Sequence, residues 1–187
     1  MRHRWSRSWL AKLFRWVPPE EREGIELDLS VPHWRIAVPK DFSAFFRALV
    51  HLVPEGAIAY LEDGSPPREL ESFLNEKSVS EVSHVAMGTI WPRPRMFHVP
   101  ATSENLLGLA DLAEHCAEPE VAIHFHVYKE DRVLLQWFDA FIDPMYVSAE
   151  IPEEKVREFC VRLGIEYQRD TEGVEEDTLT DPDKPRR

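Results

Sequence analysis

Two histidines, His124 and His126, are the residues of this chain whose types and spacing come nearest to chemistry. They lie in VAIHFHVYKEDRVLLQWFD, Val121 to Asp139. There Val121, Ile123, Phe125 and Val127 alternate with Ala122, His124, His126 and Tyr128. Alternation of period two marks a strand with one buried face and one of different character. Both imidazoles then project the same way, close enough to share a divalent transition metal such as zinc. A hydrolytic centre would also need a third ligand and an open position for water. Glu150 is the leading candidate for that ligand, with Asp139, Asp143 and His98 behind it. No HExxH, no second His-x-His and no cysteine pair accompanies the motif. A half-solvated sheet face accommodates histidine and tyrosine with no function at all, and that plainer reading stands beside the metal.

Other chemistries find less support. Seven glycines form neither GxGxxG nor GxxxxGK[ST], so no phosphate-cradling loop is indicated. GxSxG is absent. Cys116 and Cys160 are the only cysteines, and both fall on apolar helical stripes, where an inert core thiol is expected. Two isolated thiols give no disulfide framework, which favours a reducing, cytoplasmic setting. The WPRPR run sets Trp91, Arg93 and Arg95 in an otherwise acidic body. Its guanidinium groups could receive a carboxylate or phosphate, but a surface connection paired with the body's own acids is the expectation.

Charge is spread unevenly along the 187 residues. Residues 1–19 hold Arg2, Arg4, Arg7, Lys12 and Arg15 and no acid, so the net charge of −12 becomes −17 for the remainder. An acidic body repels phosphates, which argues against a nucleic-acid binder. At helical spacing the leader gathers Trp5, Trp9, Leu13 and Trp16 on one side, with the cations opposite. Pro18-Pro19 ends that run. Such a helix suits a membrane headgroup layer, a groove on a partner, or the protein's own body. From Asp170 to Arg187 the chain is acidic and nearly devoid of large apolar groups, the composition of a disordered tail.

The elements that must position the histidines occupy residues 25–169, read as one domain. Two extended runs span Ile25 to Val38, bent near Pro32. A helix covers Asp41 to Val53, with Phe42, Phe45, Phe46 and Leu49 on its inner face. Ala57 to Leu61 reads as a strand, and Ser65 as the cap of a helix that begins with Pro66-Pro67. His84 to Ile90 and Met96 to Val99 read as strands, Thr102 or Ser103 to Cys116 as a helix, and Met145 to Ile151 as a strand. Pro152 opens a helix that Gly164 stops, and Ile165 to Gln168 is a last strand. Pro54–Ile58 and Pro119–Ile123 form a weak internal echo, two helix-Pro-Glu-strand junctions.

These elements predict an α+β two-layer sandwich: a mixed, mostly antiparallel sheet with helices mainly on one face. A three-residue turn at Lys129–Asp131 would pair Val127 with Val133, Phe125 with Leu135 and Ile123 with Trp137. The other face would show His124, His126 and Gln136 to solvent, joined by Tyr146, Ser148 and Glu150. No complete catalytic constellation is present. The expectation is therefore a non-catalytic cytoplasmic module that binds a protein or small ligand through that face, His124, His126, Gln136, Tyr146 and Ser148, with Trp91 and Arg93. The leader would bring it to a membrane surface or a partner. A metal-dependent hydrolase in which His124 and His126 hold the ion and Glu150 or Asp139 completes the shell is the alternative, and an acidic inhibitor or immunity-type protein is a third.

Overall fold

The computed structural model describes residues 23–62, 64–80, 82–89 and 94–171. The basic leader, Trp91 and Arg93, and the tail after Thr171 lie outside the described residues. So do the expectations attached to Trp5, Trp9, Leu13 and Trp16.

Seven strands form one sheet: β1 (His33–Ile36), β2 (Ile58–Glu62), β3 (Met96–Pro100), β4 (His124–Lys129), β5 (Arg132–Trp137), β6 (Met145–Ser148) and β7 (Tyr167–Asp170). Their order is β3-β2-β4-β5-β6-β1-β7, and every neighbouring pair is antiparallel. The helices are α1 (Phe42–Leu52), α2 (Arg68–Lys77), α3 (Ser103–Ala113), the single turn α4 (Glu118–Val121) and α5 (Glu153–Leu163). This is the expected α+β sandwich.

Helix ends follow local chemistry. Asp41 caps α1 by accepting from the Ala44 amide at 2.7 Å, and Thr102 caps α3 by accepting from the Asn105 amide at 3.2 Å. Gly164, at φ 66°, closes α5 in the left-handed conformation that lacks a steric cost only for glycine. The inner faces of α1, α3 and α5 meet the sheet around an aromatic knot. Phe45 stands edge-on to Phe125 at 5.1 Å and Phe159 at 6.0 Å, and Trp137 tilts against it at 5.2 Å. Each such ring removes its full surface from water, worth about 1.5–3 kcal/mol.

Several boundaries differ from the sequence reading. Ile25 to Leu29 is not a strand of the sheet; it crosses the face away from the helices, as does His84 to Thr89. The two segments touch through a single parallel bridge, Ile25 to Val85. Ser65 does not cap α2; the helix starts after Pro67 without a side-chain cap. Val121 ends α4, so β4 begins only at His124 and Ile123 is exposed. Asp170, assigned by composition to the tail, ends β7.

The hairpin register also differs. Phe125 pairs with Trp137, His126 with Gln136, Val127 with Leu135 and Tyr128 with Val133. A bulge at Val127/Tyr128 absorbs Leu134, and a turn at Glu130-Asp131, with Glu130 at φ 55°, replaces the three-residue loop.

Candidate functional site

One polar ladder crosses all seven strands on the face away from the helices. Its rungs are His98, Tyr60, His126, Gln136, Tyr146, Arg35 and Gln168, each directly opposite the next. The first four are 7%, 1%, 1% and 5% exposed, so this half is sealed. The last three are open: Tyr146 is half-buried, and Arg35 and Gln168 are exposed.

The seal is the pair of crossing segments. Leu27 and Val85 pack with Tyr60, Tyr128 and Val133 in a small second core. The Leu27 amide donates to Gln136 Oε1 at 2.9 Å. Glu62, beside the ladder on β2, clamps the other segment. Its Oε2 accepts from the Gly88 amide at 3.0 Å and the Tyr60 hydroxyl at 2.9 Å, and its Oε1 from the Thr89 amide at 2.6 Å. Burial pushes the Glu62 carboxyl above its ordinary range, and these donors pull it back only in part. Gly88 fits because it has no side chain: a Cβ there would lie 2.4 Å from His124 Nε2.

His124 and His126 therefore do not face solvent, contrary to the expectation from alternation. Both are instead wired to main chain. The Asp139 amide donates to His124 Nδ1 at 2.9 Å, and the Trp137 amide to His126 Nδ1 at 3.2 Å. A backbone N–H can only donate, so each Nδ1 accepts from main chain and each neutral ring carries its proton on Nε2. His124 Nε2 lies 3.2 Å from Thr89 Oγ1 and 3.9 Å from Glu62 Oε1. Although the latter distance falls within ion-pair range, a neutral ring makes it a dipolar contact. Tyr60 stacks on His126 at 5.5 Å, Phe138 meets it edge-on at 4.6 Å, and His98 Nδ1 bonds the Tyr128 hydroxyl at 2.9 Å.

The segment after β5 delivers the Asp139 amide through a contorted backbone. Asp139 has φ 45° and Phe141 φ 68°, a conformation costly for a bulky residue. Phe141 recovers contacts with Phe42 and Trp137, at 4.9 Å to each ring. The turn thus serves both the histidines and the aromatic knot.

This wiring decides the chemistry. A zinc ion on Nε2 would need the ring proton on Nδ1, where an amide N–H already points, so the residues do not fit the metal as they are arranged. Glu150 is exposed and pairs with Arg132 at 2.9 Å. It sits near the turn end of the β4-β5 hairpin, whereas His124 starts β4, five residues or roughly 16 Å along the strand from Lys129. Among the described residues, no three His, Cys, Asp or Glu side chains are grouped to hold a metal ion. Thr89 beside His124 looks like a nucleophile with its base. The base is reversed, however, because the nitrogen facing the hydroxyl carries the proton.

Asp139 stays beside the histidines, its Oδ1 3.9 Å from His124 Nδ1, whereas the remaining expected residues separate. Asp143 uses its carbonyl to accept from Trp137 Nε1 at 2.8 Å. Arg95 pairs with Glu71 and lies over Phe97. Cys160 is buried and its thiol is pushed up to about 12 by burial; Cys116 is raised by burial and by nearby Glu120. Tyr146 and Ser148 alone remain on partly open sheet.

That open half holds a residue the sequence reading missed. Arg35 pairs across the sheet with Tyr146 on one side and Gln168 on the other. No carboxylate lies within ion-pair distance of it among the described residues. Beside it, Ile36, Ala37, Pro144, Glu166 and Tyr167 complete a pocket of about 250 Å³ with Arg35 and Gln168. Next to Tyr146, His33 is buried edge-on to that ring at 5.6 Å, with Asp170 Oδ2 3.8 Å from its Nε2. Period-two reading of HWRI would have placed Arg35 and His33 on one face; the missing signal was strand order, which is not local. No helix among the described residues is long and apolar enough to cross a membrane. Comparison with known proteins returns no match to a family model, a curated protein or a solved structure.

Proposed function

We propose that this protein is a non-catalytic binding module that engages a protein partner through the open end of the polar ladder, Tyr146, Arg35 and Gln168. Ser148 borders that surface. The carrying observation is an exposed guanidinium with no carboxylate within ion-pair distance among the described residues, although Glu166 lines the same pocket, in a body whose sequence is strongly acidic. Arginine and tyrosine, here side by side on neighbouring strands, are among the residue types enriched in binding hot spots. The guanidinium accepts a carboxylate through two parallel hydrogen bonds, and Tyr146 supplies an amphipathic wall. Because the body is so negative, a single carboxylate on an otherwise neutral segment is favoured over an acidic run. The Nδ1 atoms that accept main-chain amides and the reversed Thr89–His124 pair support a binding role over a hydrolytic one.

The test is an amide chemical-shift titration of the full chain with a blocked peptide, acetyl-Ala-Ala-Glu-Ala-Ala-amide. Shifts at Tyr146, Arg35 and Gln168 that vanish in Arg35→Glu support the reading. A null titration, or shifts confined to other strands, refutes it.

A further inference from the structure

An apolar groove lies at the opposite end of the molecule from the Arg35 pocket. It has a volume of about 620 Å³, within the range of clefts that bury a bound ligand. Val50, Val53 and Pro54 at the end of α1 form one wall, and Pro100 and Ala101 before α3 form another. Val79 and Val82 stand at its lip, 42% and 61% exposed. An exposed valine pair beside an apolar floor is the kind of surface a soluble protein covers.

We infer that this groove is the seat of the chain's own leader, with Trp5, Trp9, Leu13 and Trp16 laid into it. Three observations select this occupant. The leader precedes residue 23, and the described chain begins beside the groove. The Ile25 amide donates to the His84 carbonyl at 2.8 Å, and Val82 is two residues from His84, at most about 7 Å of chain. The five residues between Val17 and Glu23 make six steps of chain that reach roughly 20 Å when extended, ample for a return to the groove.

Charge is complementary as well. Glu55 lines the groove, Glu104 follows Ser103 at its edge, and the Glu130-Asp131 turn adjoins it through the Ser83 hydroxyl donating to the Glu130 carbonyl. Lys129 and Lys77 are the cations nearby, and each is engaged, with the Glu55 carbonyl and with Glu76 and Glu104. Five leader cations and no acid oppose this rim. Finally, the leader's aromatic stripe recurs every three or four residues, the pattern that lies in a hydrophobic groove. This inference stands apart from the Arg35 surface, which lies on other strands.

The experiment compares amide exchange in the full-length protein with that in a full-length variant carrying Ser at positions 5, 9, 13 and 16. Exchange in residues 53–58 and 79–82 should rise by about tenfold or more, while β6 and β7 stay unchanged. Val82→Asp, placed at an exposed site so that the core is untouched, should shift tryptophan emission to the red. Equal groove exchange in both proteins overturns the assignment. So does protection lost on dilution, which would mean a second copy fills the groove. Binding of the wild-type leader to phosphatidylcholine–phosphatidylserine vesicles without change in groove exchange also overturns it.

Discussion

Replacing Glu62 with Gln tests the sealed half of the sheet, because the change is isosteric yet removes one acceptor. Glu62 receives the Gly88 amide on one oxygen and the Thr89 amide on the other. A Gln amide keeps one oxygen and turns an NH2 towards the second backbone N–H. That N–H is then buried without a partner, at a cost of about 1–3 kcal/mol. Opposing this, Gln relieves the wild type of ionising a carboxyl in a dry site. The sign with pH follows from the raised carboxyl. A folded-state pKa above the unfolded one means the folded chain holds the proton more tightly. Its contribution is complete below the ordinary carboxyl value of 4.5 and is lost as pH climbs through the folded value. Wild type should therefore exceed Glu62→Gln most in acid, and the gap should shrink towards pH 8. Urea unfolding followed by tryptophan emission at a series of pH values measures it. A gap that widens as pH rises would mean the three donors outweigh burial and hold a stable carboxylate, and the reasoning would fail.

Three further outcomes follow from the same contacts. Gly88→Ala drives a methyl into the His124 ring and should cost about 1–3 kcal/mol in urea unfolding; a neutral result would mean the segment over the histidines is not closed. His124→Phe removes the acceptor of the Asp139 amide and should cost a similar 1–3 kcal/mol, while zinc added to wild type leaves the thermal midpoint unchanged; a zinc-dependent rise would restore the metal reading. A thiol reagent should modify Cys160 only at the rate of unfolding, since burial holds its thiol near 12; rapid labelling of both cysteines in the native chain would contradict that.

The parts of this fold legible in the sequence are those set within a few residues. Asp41 and Thr102 announce their helices because a cap is a contact three residues long. Gly164 ends α5 for the same local reason. The hairpin was visible from alternation, but its register was not. A bulge shifts pairing by a residue without disturbing the pattern of Phe125 and Val127. The face of the histidines was likewise correct and its exposure wrong. Alternation says which side a residue takes and nothing about what crosses over it. Here the cover comes from Ile25–Leu29 and His84–Thr89, about 100 and 40 residues away in the chain; neither reads as a lid. Glu62 lay one residue past the predicted end of its strand, and Arg35 acquired meaning only once β1 was seen between β6 and β7.

The wiring of the two imidazoles is the claim on which the division into sealed and open halves depends. Long-range proton–nitrogen correlation spectra of the side chains read it directly. The account predicts that His124 and His126 each show a protonated Nε2 and an unprotonated Nδ1, slow to exchange with water. Rings that carry the proton on Nδ1, or that exchange as freely as the exposed His51 and His115, would contradict it.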